Sequence, residues 1–128
     1  MKDPNNPCLF CDVKKTGIVY ENELAYTSYD SYPVSEHHCL IIPKRHIVSY
    51  FECNKEEYEE IPLVLNTQKT ELKLTDDAIT GFNIGMNIGE DAGQTVFHFH
   101  IHIIPRRKGD IDNPKGGIRG VIPNKQKY

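Results

Sequence analysis

Three histidines occupy every second position of one short apolar run: His98, His100 and His102 in GQTVFHFHIHIIPRR, residues 93–107. On a β-strand, side chains alternate faces with period two and each residue advances about 3.3 Å. The spacing predicts three imidazoles on one face, about 6.6 Å apart in series. Phe97, Phe99, Ile101 and Ile103 fall on the other face, which the alternation makes the core face. Such a row can attack phosphorus, hold phosphoryl oxygens, or offer a His-x-His pair to a metal. A solvated sheet face tolerates one histidine, but three in alternation suit it poorly, because histidine is neither a strong strand former nor a usual solubilising residue.

The residues just before the row favour phosphate chemistry. NIGEDAGQTV, from Asn87 to Val96, carries Gly89 and Gly93, which let backbone N–H groups approach an anion closely. Gln94 and Thr95 then add amide and hydroxyl donors. Near the start, Cys8 and Cys11 form a single C-x-x-C, a pattern compatible with redox chemistry, metal binding or coincidence.

These residues need a scaffold. Ile18 to Tyr20 and Leu24 to Tyr29, separated by Glu21-Asn22-Glu23, read as a β-hairpin. SYPVSEHHCLIIPKRH gives a turn at Pro33, a strand over Cys39 to Ile42 and a stop at Pro43. One helix follows: Asn54 with Glu57 three residues on makes a capping box, and Tyr58, Ile61, Leu65 and Leu72 fall at helical spacing. Pro62 inside that pattern predicts a kink or a late start. GFNIGMNIGEDAG reads as a strand and a Gly-rich turn leading into the histidine run. Strands on both sides of one helix, with short connections, imply an α+β domain on an antiparallel sheet. The chain of 128 residues suits one domain, with the last twenty or so, polar and rich in Gly, Pro and charge, too short for a second.

Net charge is −3, so nothing draws the chain as a whole to a polyanion, and no nucleic-acid partner is expected. The N-terminal MKDPNNPCLFCDVKK lacks an apolar leader and no run approaches the ~18 apolar residues that cross a bilayer, so a cytoplasmic protein without membrane contact is expected. In a reducing compartment the four cysteines Cys8, Cys11, Cys39 and Cys53 stay as thiols or bind metal.

HFHIHII preceded by AGQTV resembles the signature of the histidine triad (HIT) family of nucleotide hydrolases and transferases. The likeness extends through CLFC, SYDSYPVSEHHCLIIPKRHI and NIGEDAGQTVFHFHIHIIPR, most of the chain. It implies a HIT-like fold: an antiparallel sheet of about five strands with one long and one short helix, as a single HIT domain over 1–128. Its core would run from about 8 to 106, and a tail, 107–128, would complete the site or a homodimer. The resemblance makes His100 the nucleophile towards the α-phosphate of an adenine nucleotide, through a covalent nucleotidyl-histidine. Its other ring nitrogen would be held as N–H, by a carbonyl.

By the same resemblance His102 holds a phosphate oxygen or helps the leaving group depart, and Gln94 bridges nucleophile and leaving group. Asn87, Gly89, Gly93 and Thr95 line the phosphate side. Asp30 takes the ribose, Leu9, Phe10 and Tyr29 pack on the base, and His38 stands near the triad. Arg106, Arg107 and Lys108, with Lys115 and Arg119 of the tail, are candidates for further phosphates. Zinc-binding relatives imply a Cys8, Cys11, His46 and His98 set, closed and therefore structural, with no organic cofactor. A diadenosine polyphosphate is the favoured substrate, with a purine nucleoside phosphoramidate as the alternative. Two readings from other classes are a metal-dependent hydrolase with all three histidines as ligands and a nucleotide-binding signalling module with little catalysis.

Overall fold

The computed structural model describes residues 8–12 and 17–128; of the stretch 1–15 read as leaderless, residues 1–7 and 13–15 lie outside them. Five strands, β1 Tyr20–Glu21, β2 Ala25–Tyr29, β3 Cys39–Pro43, β4 Ile79–Gly85 and β5 Ile101–Arg107, form one antiparallel sheet in the order β1-β2-β3-β5-β4. One long helix, α1 Lys55–Thr75, packs on it; the remaining helical pieces among the described residues are short 3-10 turns.

Alternation along the strands separates two faces. Ala25, Cys39, Ile41, Ile101 and Ile103 join Ile61, Val64 and Leu72 of α1 in the main core. Tyr26, Leu40 and Ile42 point the other way and pack with Phe10 in a second, smaller cluster. In register, Leu40 of β3 and Gly85 of β4 flank His102 of β5, so His102 stands on the second face.

Helix α1 begins where the sequence indicates. Asn54 accepts from the Glu57 amide and Glu57 Oε1 accepts from the Asn54 amide, a reciprocal cap. Glu57 is 2% exposed, and its charge is matched by Arg45, 2.7 Å away. Pro62 neither delays nor ends the helix: Tyr58, whose carbonyl cannot accept from Pro62 because proline has no N–H, and Pro62 itself both face solvent, where water can take that bond. The buried stripe is Glu57, Ile61, Val64, Gln68 and Leu72, so the helix is turned from the Tyr58-based reading, and the Tyr58 hydroxyl donates to the Tyr50 carbonyl at the surface. No helix of the described residues is long and apolar enough to cross a membrane.

The histidine run is only partly strand. β5 begins at Ile101, the chain bends over 96–98, and the Phe99 amide donates to the Ile47 carbonyl instead of to a neighbouring strand. Phe99 still enters the core at 1% exposure, but Phe97 does not; the bend leaves it 47% exposed, which corrects its assignment to the core face.

Candidate active site

The second face carries a cleft of about 410 Å³. Its lining combines apolar Leu9, Phe10, Leu40 and Val96 with polar Asn87, Thr95, His100 and His102 and the backbone of Gly93. Asp30, just past β2, lies on its wall with Ser28, Ser31 and Tyr32. Gly93 adopts φ 96°, in the left-handed region that favours glycine, and ends the 3-10 turn Glu90–Ala92.

Hydrogen-bond partners fix the ring of each triad histidine. His100 Nδ1 lies 2.8 Å from the His98 carbonyl, which can only accept, so Nδ1 carries a proton and, in the neutral ring, Nε2 is the nitrogen with the lone pair. The ring is nine-tenths buried, with Phe10 edge-on at 4.9 Å between centroids. His102 is fixed from behind. The Val34 amide donates to His38 Nδ1 (3.1 Å), so His38 must bear its proton on Nε2, from which it donates to His102 Nδ1 at 2.9 Å. His102 is left with Nε2–H as its donor. Burial, then the neighbouring His100 and His38, lower its pKa to about 4, so the ring is neutral near pH 7.

That shift has a stability consequence. Below the unfolded value of 6.5 the unfolded chain binds a proton at His102 that the folded ring refuses until about 4. The contribution is therefore intact above pH 6.5 and is lost as pH falls towards 4. Urea midpoints should decline across that window, and His102→Gln should decline less steeply; equal slopes would contradict the neutral ring.

His98 is turned elsewhere. Its Nε2 donates to the Pro43 carbonyl at 2.7 Å, which leaves the Nδ1 lone pair facing Cys8 Sγ at 3.3 Å and Cys11 Sγ at 3.5 Å. His46 Nδ1 lies 3.1 Å from Cys11 Sγ, and all four ligand atoms are within 4.8 Å of one another. A tetrahedral ion with metal–sulfur bonds near ~2.3 Å and metal–nitrogen bonds near ~2.0 Å has N···S edges of roughly 3.5 Å, so the four residues fit a small tetrahedral cation. Asp30, His38 and His102 also cluster, but His38 cannot present a lone pair there while its Nδ1 accepts from Val34. The three triad rings face three different partners and do not converge on one ion, which disfavours the metal-hydrolase reading.

Several expected residues stand outside the cleft. Tyr29 is on the opposite side of β2 and packs against His37 (5.9 Å), because Ser28 and Asp30 take the cleft side of the alternation. Gln94 is 3% exposed and fully engaged: Oε1 accepts from the Gly89 amide, and Nε2 donates to the Val48 and Val96 carbonyls. It pins the loop, with Gly89 behind it, and does not reach into the cleft. His38 acts through His102 and does not line the cleft. Arg106 is held by Asp110 and Asn83, and Arg107 by Asp76 and the Glu36 carbonyl. The tail packs along β4, Ile118 beside Gly85 and Gly117 beside Asn83, and none of its described residues lines the cleft. Ser28 and Leu40 were legible from period-two alternation with Asp30 and His38, whereas Ser31 and Tyr32 carry no local signal.

The sequence profile of the HIT domain matches residues 12–109. The chain belongs to the histidine triad family. A HIT-like protein of Mycoplasma genitalium, itself uncharacterised, is 37% identical over 109 residues, 82% of this chain and 77% of that one. A bis(5′-adenosyl)-triphosphatase of Dictyostelium discoideum is 35% identical over 79% of this chain and 67% of its own length. An adenylylsulfatase of Arabidopsis thaliana is 36% identical over 82% of this chain and 55% of its own. Among solved structures, a HIT family protein of Bacillus anthracis superposes with TM-score 0.74 at 36% identity, covering 81% of this chain and 76% of that one. A zinc-bound histidine triad protein of Mycobacterium smegmatis gives TM-score 0.73 at 32% identity, covering 81% and 78%.

Proposed function

We propose that this HIT protein hydrolyses adenine dinucleotides of the diadenosine polyphosphate class at the α-phosphate, through an adenylyl-His100 intermediate. The observation that carries this reading is the His100 Nδ1 to His98 carbonyl bond, which makes the Nε2 lone pair of the neutral ring the nucleophile, on a residue that lines the cleft. His100 Nε2 bonds to phosphorus while the bond from phosphorus to the bridging oxygen breaks, and its electron pair leaves with the departing adenosine polyphosphate. Positive charge grows on the imidazole, and the His98 carbonyl stabilises it through Nδ1–H. Water then forms a new P–O bond, the P–N bond breaks with its pair returning to Nε2, and the water's proton goes to solvent. AMP is released.

His102, neutral with Nε2–H as its donor, holds a phosphoryl oxygen. A neutral imidazole does not readily surrender that proton, so the site suits leaving groups that depart as anions. A polyphosphate does so, and an amine does not, which favours the dinucleotide over the phosphoramidate. Asp30 takes the ribose, Leu9 and Phe10 the base, and Asn87, Gly93 and Thr95 the phosphates. The triphosphatase and adenylylsulfatase relatives, whose names imply release of anionic groups, support the same preference.

Cys8, Cys11, His46 and His98 are proposed to hold a structural zinc, supported by their spacing and by the zinc-bound mycobacterial relative. Zinc there would tie the N-terminal segment to the residue two before His100, and thiol ligands suit a reducing cytoplasm. The chain is proposed to pair as a homodimer, with the outer edge of β4, its exposed Ile84 and the neighbouring Met86 as the contact.

The test is turnover of diadenosine tetraphosphate and adenosine phosphoramidate side by side. AMP should form from the first at a kcat/KM at least about tenfold above the second. Inertness towards both, in folded protein, would remove the enzymatic reading.

A further inference from the structure

The cleft ends short of what a dinucleotide needs. Its volume of about 410 Å³ is at the low end of the roughly 300–1,000 Å³ that small-molecule sites span, room for one nucleotide and not two. A second cavity of about 530 Å³, which shares no lining residue with the cleft, lies farther along β5 on the face that carries His100 and His102. One strand floors both and one loop walls both. Side chains of β5 alternate His100, His102, Ile104, Arg106 on this face, the first two under the cleft and the next two under the groove. Two residues of strand advance about 6.6 Å, so the groove begins about that far beyond His102. The loop between β2 and β3 gives Asp30, Ser31 and Tyr32 to the cleft, then Val34 and Ser35 to the groove.

The groove has the chemistry of a base site. Ile104, Val34 and Ile111 are apolar, and Asn83 and Arg106 bring amide and guanidinium groups. Arg106 is held rigid by two bonds to Asp110 and one to Asn83, so its charge is balanced and its plane is fixed. A planar guanidinium held in that way can stack on a ring. Ile111 lies just past the matched family segment, which ends at 109.

We propose that this groove is the leaving-group subsite, which holds the second nucleoside of a dinucleoside polyphosphate while the first occupies the cleft. The assignment rests on the α-phosphate reading above and adds where the departing half sits.

The experiment compares two substrates that share an adenylyl half and lose an anion: diadenosine tetraphosphate, and adenosine 5′-phosphosulfate, whose leaving group is only sulfate. Ile111→Asp, at an exposed position, and Ile104→Asn put polar groups into the groove. Each should lower kcat/KM for the tetraphosphate about tenfold or more and leave that for the phosphosulfate within about twofold. Equal losses on both substrates, or no loss on either, would overturn the groove assignment while the α-phosphate reading stands. Wild-type protein inert to both substrates would sink that reading, and the groove with it.

Discussion

His100→Ala is expected to lower kcat/KM for diadenosine tetraphosphate by about 10,000-fold or more, with the circular dichroism spectrum unchanged. The size follows from its role. Removing a nucleophile deletes the covalent route altogether, whereas removing a donor weakens a step that still proceeds. His102→Ala should therefore cost less, about 100-fold to 1,000-fold, the usual effect of losing one fixed hydrogen-bond donor in a site of developing charge. His38→Ala should resemble His102→Ala in milder form, because His38 sets the His102 tautomer and does not line the cleft. A His100→Ala protein that keeps most of its activity would place the chemistry on another group.

Loss of the Cys8, Cys11, His46 and His98 set should be the largest stability effect. Structural zinc in small domains carries apparent binding energies on the order of 10 kcal/mol, and losing even ~3 kcal/mol in a domain of this size lowers Tm by about 10 °C. Purified protein should hold one zinc per chain, and a strong chelator or Cys11→Ser should produce that drop. Activity should fall in parallel, because His98 supplies the carbonyl that holds the His100 ring. A metal-free protein with an unchanged Tm under chelator would contradict the assignment.

Local pattern made much of the site legible. Period-two alternation identifies the face shared by His100, His102 and Leu40, and the Asn54 and Glu57 pair marks the start of α1. The C-x-x-C motif alone left its partners open, and the resemblance supplied His46 and His98, which the fold brings to it across 35 and 87 residues. What local pattern could not carry is direction where the chain leaves regular structure. The bend at 96–98 turns Phe97 out, and a loop conformation turns Gln94 inward to three backbone groups. Arg107 looked free for phosphate because its partner Asp76 is 31 residues away, and Arg106 because the turn that brings Asp110 back is invisible until folded.

A covalent bond between His100 and an adenylyl group should be visible by mass spectrometry of protein mixed with diadenosine tetraphosphate and quenched rapidly without acid. The wild-type peptide containing His100 should gain the mass of one adenylyl group, and His100→Ala should gain none. Adenylylation at any other residue, or steady turnover with no adduct while His100→Ala stays active, would mean that His100 is not the nucleophile.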